Sequence, residues 1–169
     1  MTRGRPTAWK IAKRDQTQAR RELILRAATT RLNELGYARA SMMGIAADLG
    51  LSTNALYYYF KSKAEILYGC FERALGLIED CTDQAESTQG NGNEQMQVFV
   101  QCFRELIEAG PLPGSWLSVH LPGARLSAIG KRDATHQARL HAIVHRGIAD
   151  GSIRDCDVAS TVGILLSGL

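Results

Sequence analysis

Residues 51–63 read LSTNALYYYFKSK. Three tyrosines and a phenylalanine stand in a row, small polar residues precede them and two lysines follow. Three adjacent hydroxyls do not suit a core, and four rings do not suit a face turned only to water. The flanking residues supply the context. Ser41 is placed to N-cap a short helix from Met42 to Leu49, which Gly50 ends because glycine takes a left-handed conformation at no steric cost. Ser52 is placed to cap another, from about Thr53 to Tyr59. Two short helices joined by Gly50-Leu51-Ser52 make a helix-turn-helix pattern. In that motif the second helix enters the DNA major groove with its N-terminal residues at the base edges.

Those residues are Thr53, Asn54 and Ala55, small enough for the narrow space beside base edges and thymine methyls. Leu56 and Phe60 are four apart and share the inward face. Tyr57, Tyr58 and Tyr59 spread over the remaining faces, where a flat apolar body with a hydroxyl tip suits a groove wall, and one of the three is expected at the edge of the core. Lys63 opens the next helix beside free backbone N–H groups, a combination that favours phosphate.

Charge agrees with this placement. Residues 1–63 hold 12 Lys and Arg against 4 Asp and Glu, a balance of +8. Residues 64–169 hold 8 against 13, a balance of −5. A basic first third joined to an acidic remainder points to a polyanion partner for the first third, the other reading being a solvated basic face. At the start, Arg3-Gly4-Arg5-Pro6 reads either as an element whose arginines lie along a narrow A·T minor groove or as a plain basic tail.

The rest of the 169 residues is helical in pattern almost throughout, so the fold class is all-α. Residues 1–19 read as a basic arm. A helix is predicted from about Gln18 to Leu35, with Leu25, Ala28, Leu32 and Leu35 on one face and Gly36 as its stop. Ser62-Lys63-Ala64-Glu65 is a capping box for a long fourth helix to about Asp83. A glycine-rich connection at 88–93 precedes a helix from about Glu94 to Ala109, and GPLPG (110–114) breaks the chain. Trp116 to Leu121 is a short apolar piece closed by Pro122-Gly123. A further helix is predicted over about Lys131–Ala149, then a last one capped by Asp155 or Asp157. The organisation expected is the arm, a DNA-binding unit over 20–80 and a helical regulatory unit over 81–169.

Several function classes drop out. No apolar run of about 18 residues exists for a membrane span, and no apolar segment follows the basic N-terminus as in a signal peptide. Cys70, Cys81, Cys102 and Cys156 are scattered, which reads as reduced thiols and neither a disulfide framework nor a zinc site. His141 and His145 lie four apart, with His136 nearby, but no acidic residue completes a metal set, and no cofactor is expected. No nucleophile–base spacing or phosphate loop suggests an enzyme. Met96, Phe99, Phe103 and Trp116 either fill a core or line an apolar ligand cavity.

Matching pieces then occur in order over about residues 21–67: LNELGY (32–37), the S-x-x-x-I-A core at Ser41, Ile45 and Ala46, GLS (50–52), and LYYYFKSK (56–63) running into Glu65 and Leu67. This stretch resembles the N-terminal domain of the TetR family of transcriptional repressors. The resemblance implies a three-helix DNA-binding domain followed by a helical ligand-binding and dimerisation domain. It implies double-stranded DNA, a second copy of the chain and a small-molecule effector as partners, and a cytoplasmic repressor as function. It maps DNA contacts onto Ser41, Met42, Met43, Thr53, Asn54, Ala55, Tyr57, Tyr58, Tyr59 and Lys63. Met43-Gly44 departs from the polar or charged residues usual there, which argues against base reading from the second helix. The family's two long C-terminal helices have only one counterpart here, so either a last helix is missing or the interface is reduced. The competing class is a helical interaction module that binds protein and not DNA.

Overall fold

A computed structural model describes residues 8–168, with side chains over 15–166. The elements are α1 (Ala8–Arg39), α2 (Met42–Asp48), α3 (Thr53–Tyr59), α4 (Lys63–Ser87), α5 (Gly92–Ala109), a 3₁₀ turn (Ser115–His120), α6 (Gly123–Ala149) and α7 (Val158–Gly168). No strand occurs among the described residues, and no helix there is long and apolar enough to cross a membrane.

Three serines start three helices as expected. Ser41 Oγ accepts from Gly44 N, Ser52 Oγ from Ala55 N and Ser62 Oγ from Glu65 N, each at 3.1 Å. Each satisfies a backbone donor that a helix start leaves open. Glu65 reaches back one residue further than a simple capping box, accepting from Lys61 N at 2.6 Å. The turn after α2 is closed by Gly50 at φ 63°, with Leu51 N donating to Ala46 O and Gly50 N to Ala47 O. That double closure needs a left-handed residue at Gly50 and fixes the angle between α2 and α3. Gly36, at φ 74°, breaks the helical path of α1 where the stop was predicted.

Two apolar cores result. The first gathers Ile24, Ala28 and Leu32 of α1, Ile45 and Ala46 of α2, Leu56 of α3, Phe60, and Ile66, Leu67 and Cys70 of α4. The second gathers Cys81 and Ala85 of α4, Phe99 and Phe103 of α5, Leu140, Ile143 and Val144 of α6, and Val158 and Val162 of α7. Two helices run through both. α4 spends its first half in one core and its second in the other, and α6 places Ile129 in the first and Leu140 in the second. Arg132 and Arg139 of α6 bind Glu72, Glu79, Asp83 and Glu86 of α4, locking the long helices side by side.

Four expectations need correction. α1 starts at Ala8, so residues 8–18, read as part of a free arm, continue the first helix; the basic composition hid a stretch that still propagates an established helix. α5 starts at Gly92, because Asn91 in the polar connection caps it and pairs reciprocally with Glu94. α6 starts at Gly123, eight residues early, since Pro122 has the φ and free carbonyl to lead into a helix, and Leu126 N bonds to its oxygen at 2.9 Å. Cys81 and Cys102 are joined in a disulfide, not left as thiols, because α4 and α5 pack antiparallel and bring their Cα atoms to 5.5 Å. Cys70 stays a thiol, and burial pushes it up to about 11, so it is inert at neutral pH.

Candidate nucleic-acid interface

α3 is held by one face and free on the rest. Leu56 and Phe60 are fully buried, and the Arg21 guanidinium lies over the Phe60 ring at 4.1 Å. Asn54 is exposed, and Thr53 and Ala55 are half-buried beside it. Tyr58 is 67% exposed and Tyr57 43%. Tyr59 is the ring that lies against the core; its carbonyl accepts from Arg21 at 2.5 Å, and its ring meets Tyr58 edge-on at 5.1 Å. Outward aromatic surface on so short a helix is not explained by folding.

On α2, Ser41 and Met43 are exposed, whereas Met42 packs on the first core. Gly44 has a structural reason. Arg31 crosses α2 there to grip both carboxylate oxygens of Asp48 at 2.7 Å, and a β-carbon at Gly44 would stand 2.5 Å from the guanidinium. The departure at Met43-Gly44 therefore leaves room for a brace between α1 and α2.

Lys63 does not stand free toward solvent. Its ammonium donates to Tyr37 O at 2.5 Å and Ala40 O at 2.9 Å and sits over the Tyr37 ring at 4.2 Å. It caps the carbonyls that the break at Gly36 leaves open. Two other cations flank the motif on exposed residues: Arg39, just before α2, and Lys61, just after α3. Sequence reasoning passed over both; their signal is position, one at each end of the helix pair. Arg3 and Arg5 lie outside the described residues.

Three of the four ligand-pocket candidates meet in one core and the fourth lies apart. Phe99 and Phe103 stack at 5.6 Å inside the second core with Met96 at its edge. Trp116 is 60% exposed on the 3₁₀ turn. None of the four lines the groove of about 580 Å³ between α1 and α4, whose walls include Arg21, Glu22, Glu72 and Arg73. Of the three histidines, His136 is 2% exposed and bonds Thr82, while His141 and His145 are not buried. No cluster of three metal-ligating side chains forms among the described residues.

The two halves touch beyond α4 and α6. Asn33 of α1 donates to Leu112 O at 2.8 Å and accepts from Gly114 N at 3.0 Å, and Arg26 donates to Ala109 O. Tyr37, beside Lys63, stacks on His120 of the 3₁₀ turn at 4.6 Å. The GPLPG break is thus the strap that docks the second half on the first helix.

Residues 24–68 match the family of bacterial regulatory proteins designated tetR, the span that builds α2, α3 and their support. The chain carries a TetR-family domain. The TetR-family regulator PfmR from Thermus thermophilus is similar at 28% identity, over 85% of this chain and 80% of that one, with a TM-score of 0.70. The ketosteroid transcriptional regulator KstR2 of Mycobacterium tuberculosis shares the fold at 22% identity, over 86% and 77%, with a TM-score of 0.74. AibR, solved with isovaleryl coenzyme A and operator DNA, shares it at 21%, over 88% and 82%, at 0.71. This TetR-type chain is a DNA-binding transcriptional regulator and not an enzyme.

Proposed function

We propose that this regulator is a cytoplasmic repressor that binds a pseudo-palindromic operator as a homodimer and leaves it when a small apolar or amphipathic effector binds the second half. The observation that carries the DNA reading is the outward face of α3, where Asn54, Tyr57 and Tyr58 stand exposed on a helix held from behind by Leu56 and Phe60. Thr53, Asn54 and Ala55 approach base edges. Ser41, Met43, Tyr57 and Tyr58 meet the backbone and groove walls, with Arg39 and Lys61 at the phosphates. Tyr59, Met42 and Lys63 support the reading surface from within.

One helix-turn-helix reads too few base pairs for genomic selectivity; two related by a dyad double the readout at half-sites about one helical turn or a multiple apart. Release follows when the effector favours a conformer whose recognition helices are wrongly spaced, and a coupling of about 1–3 kcal/mol shifts affinity about 5–150-fold. α4 suits this role because it joins the two cores, and a neighbour of this fold was solved with both a small molecule and operator DNA. The test is selection of bound sites from random duplexes. Inverted repeats are expected; single unpaired half-sites, with a monomer in sedimentation, would overturn the dimeric reading.

A further inference from the structure

His136 lies on α6 inside the second core, its ring centroid 6.1 Å from that of Phe99. Its Nδ1 is 3.0 Å from Thr82 Oγ1. Thr82 Oγ1 also lies 3.1 Å from Ile78 O and donates its single proton to that carbonyl. With that proton on Ile78 O the hydroxyl oxygen accepts from His136, and we assign the ring proton to Nδ1 on that basis. Nε2 is then a bare lone pair, buried and without a hydrogen-bond partner. The same core holds a second orphan of the same kind. Gln95 of α5, one turn before Phe99, uses its Nε2 on Thr88 O at 3.0 Å and leaves Oε1 buried and unpartnered. Buried polar atoms are nearly always paired, so two unanswered acceptors in one apolar core call for a donor.

The charges around His136 restrict what that donor can be. Asp133, Glu79 and Glu86 act on the ring, against the single guanidinium of Arg139, which is already tied to Asp83 and Glu86. Arg132 and Arg139 are already paired with Glu72, Glu79, Asp83 and Glu86, so an entering anion would have to compete with those carboxylates for a cation. Phe99 faces the ring, and the core it belongs to is apolar, with Phe103, Leu140 and Ile143 buried and the unbranched Met96 at its edge.

We infer that His136 Nε2 is the polar anchor of the effector site, and that the effector is a small neutral molecule, apolar over most of its surface, that presents an O–H or N–H donor. This rests on the reading that the second half takes an effector. It excludes free carboxylates and acyl-coenzyme A esters at this anchor, unlike the isovaleryl coenzyme A bound by AibR.

The test uses the full chain and probes matched in shape. Phenol and cyclohexanol are titrated calorimetrically beside their methyl ethers, anisole and methoxycyclohexane, and beside benzoate. Each alcohol is expected to bind about tenfold or more tightly than its ether and than benzoate, as a site built around a hydrogen bond requires. On binding, the ¹⁵N resonance of His136 Nε2 should leave the free lone-pair position. His136→Leu should bind alcohol and ether alike. Thr82→Val removes the acceptor that fixes the tautomer at constant volume, so it should shrink the preference even where His136→Leu fails to fold. Binding of neither alcohol, equal binding of alcohol and ether, or a preference that survives both substitutions would overturn the anchor. Operator affinity is measured with the same probes. Alcohol binding at His136 that leaves operator affinity unchanged would keep the anchor and sink effector release; release by a molecule indifferent to both substitutions would do the reverse.

Discussion

Beside the first core, which buries Phe60 and Phe71, tyrosines stand outside and expose their surface; in the second core the rings are inside, and a polar ring is buried with them. Tyr57 and Tyr58 face outward from a helix anchored by two side chains, while Phe99 and Phe103 stack on each other with Phe99 tilted toward the buried His136. The orphaned polar atoms differ in the same sense. Those of the first half are guanidinium donors, Arg31 Nε and Arg73 Nη1; those of the second are acceptors, Gln95 Oε1 and His136 Nε2. On the readings proposed above, one half meets a large anion from outside and the other takes something small and uncharged within. α4 contributes to both cores, which is the route by which one event would be felt by the other.

The comparison breaks most sharply if the cores are not separable. Phe60→Ala empties a fully buried site in the first core and should cost about 3–5 kcal/mol, abolishing DNA binding through unfolding of the helix-turn-helix. Phe99→Ala should cost a similar amount, yet leave operator affinity of the still-folded fraction nearly unchanged. Urea unfolding followed by circular dichroism, with gel shifts on the folded fraction, checks both. Equal loss of operator affinity in the two variants would mean that the halves form one cooperative core.

Reduction of the Cys81–Cys102 bond is the next largest effect. The bond closes a loop of sequence separation 21 between α4 and α5, and freeing it should lower stability by about 3 kcal/mol. Cys102→Ser should reproduce the loss without reductant and become indifferent to it. A midpoint in urea that does not move with reductant would show that the helix packing alone holds α4 to α5.

The first half was readable because its signals are local. Serine caps, the glycines at 36 and 50 and the Leu56–Phe60 pair each act within a few residues, and each stands where it was expected. What escaped is non-local. Lys63 reads as a free cation until the break at Gly36 is seen to aim two carbonyls at it, and Gly44 reads only as a departure from the residues usual there until Arg31 is found crossing it. Trp116 has the spacing of a pocket ring, but the strap held by Asn33 turns it to solvent. The disulfide follows only from the pairing of α4 with α5, which no Cys spacing encodes. The orphan acceptor at His136 depends on a threonine 54 residues away.

Acid should expose the second half's buried ring. Burial holds His136 below its ordinary value of 6.5, with Arg139 adding to the depression and Asp133, Glu79 and Glu86 opposing it. The folded state then takes up this proton later than the unfolded chain does. Its contribution is intact above pH 6.5 and is lost as pH falls from there toward the folded pKa, by at most about 1.4 kcal/mol per pH unit. His136→Gln should flatten the fall of thermal midpoint below pH 6.5 relative to the parent chain. Parallel curves would place the acid sensitivity elsewhere.

The smallest effect separates two lysines on either side of Ser62, of which the sequence points to Lys63 for phosphate. Lys61 is exposed, and its ammonium makes one long bond, 3.2 Å, to Tyr57 O at the end of the proposed reading helix. Lys63 has given its ammonium to Tyr37 O and Ala40 O. If only cations free to meet phosphate release counterions, Lys61→Ala should lower the slope of log affinity against log salt by about one unit on every duplex tested. Its stability should stay within about 0.5 kcal/mol of the parent. Lys63→Ala should show the opposite split: about 1 kcal/mol lost in stability as the carbonyls lose their cap, with the salt slope unchanged. The wager can be lost cleanly. A slope that falls for Lys63→Ala and holds for Lys61→Ala would mean that DNA draws the Lys63 ammonium off its carbonyls, and that the turn at Gly36 is part of the DNA surface and not its support.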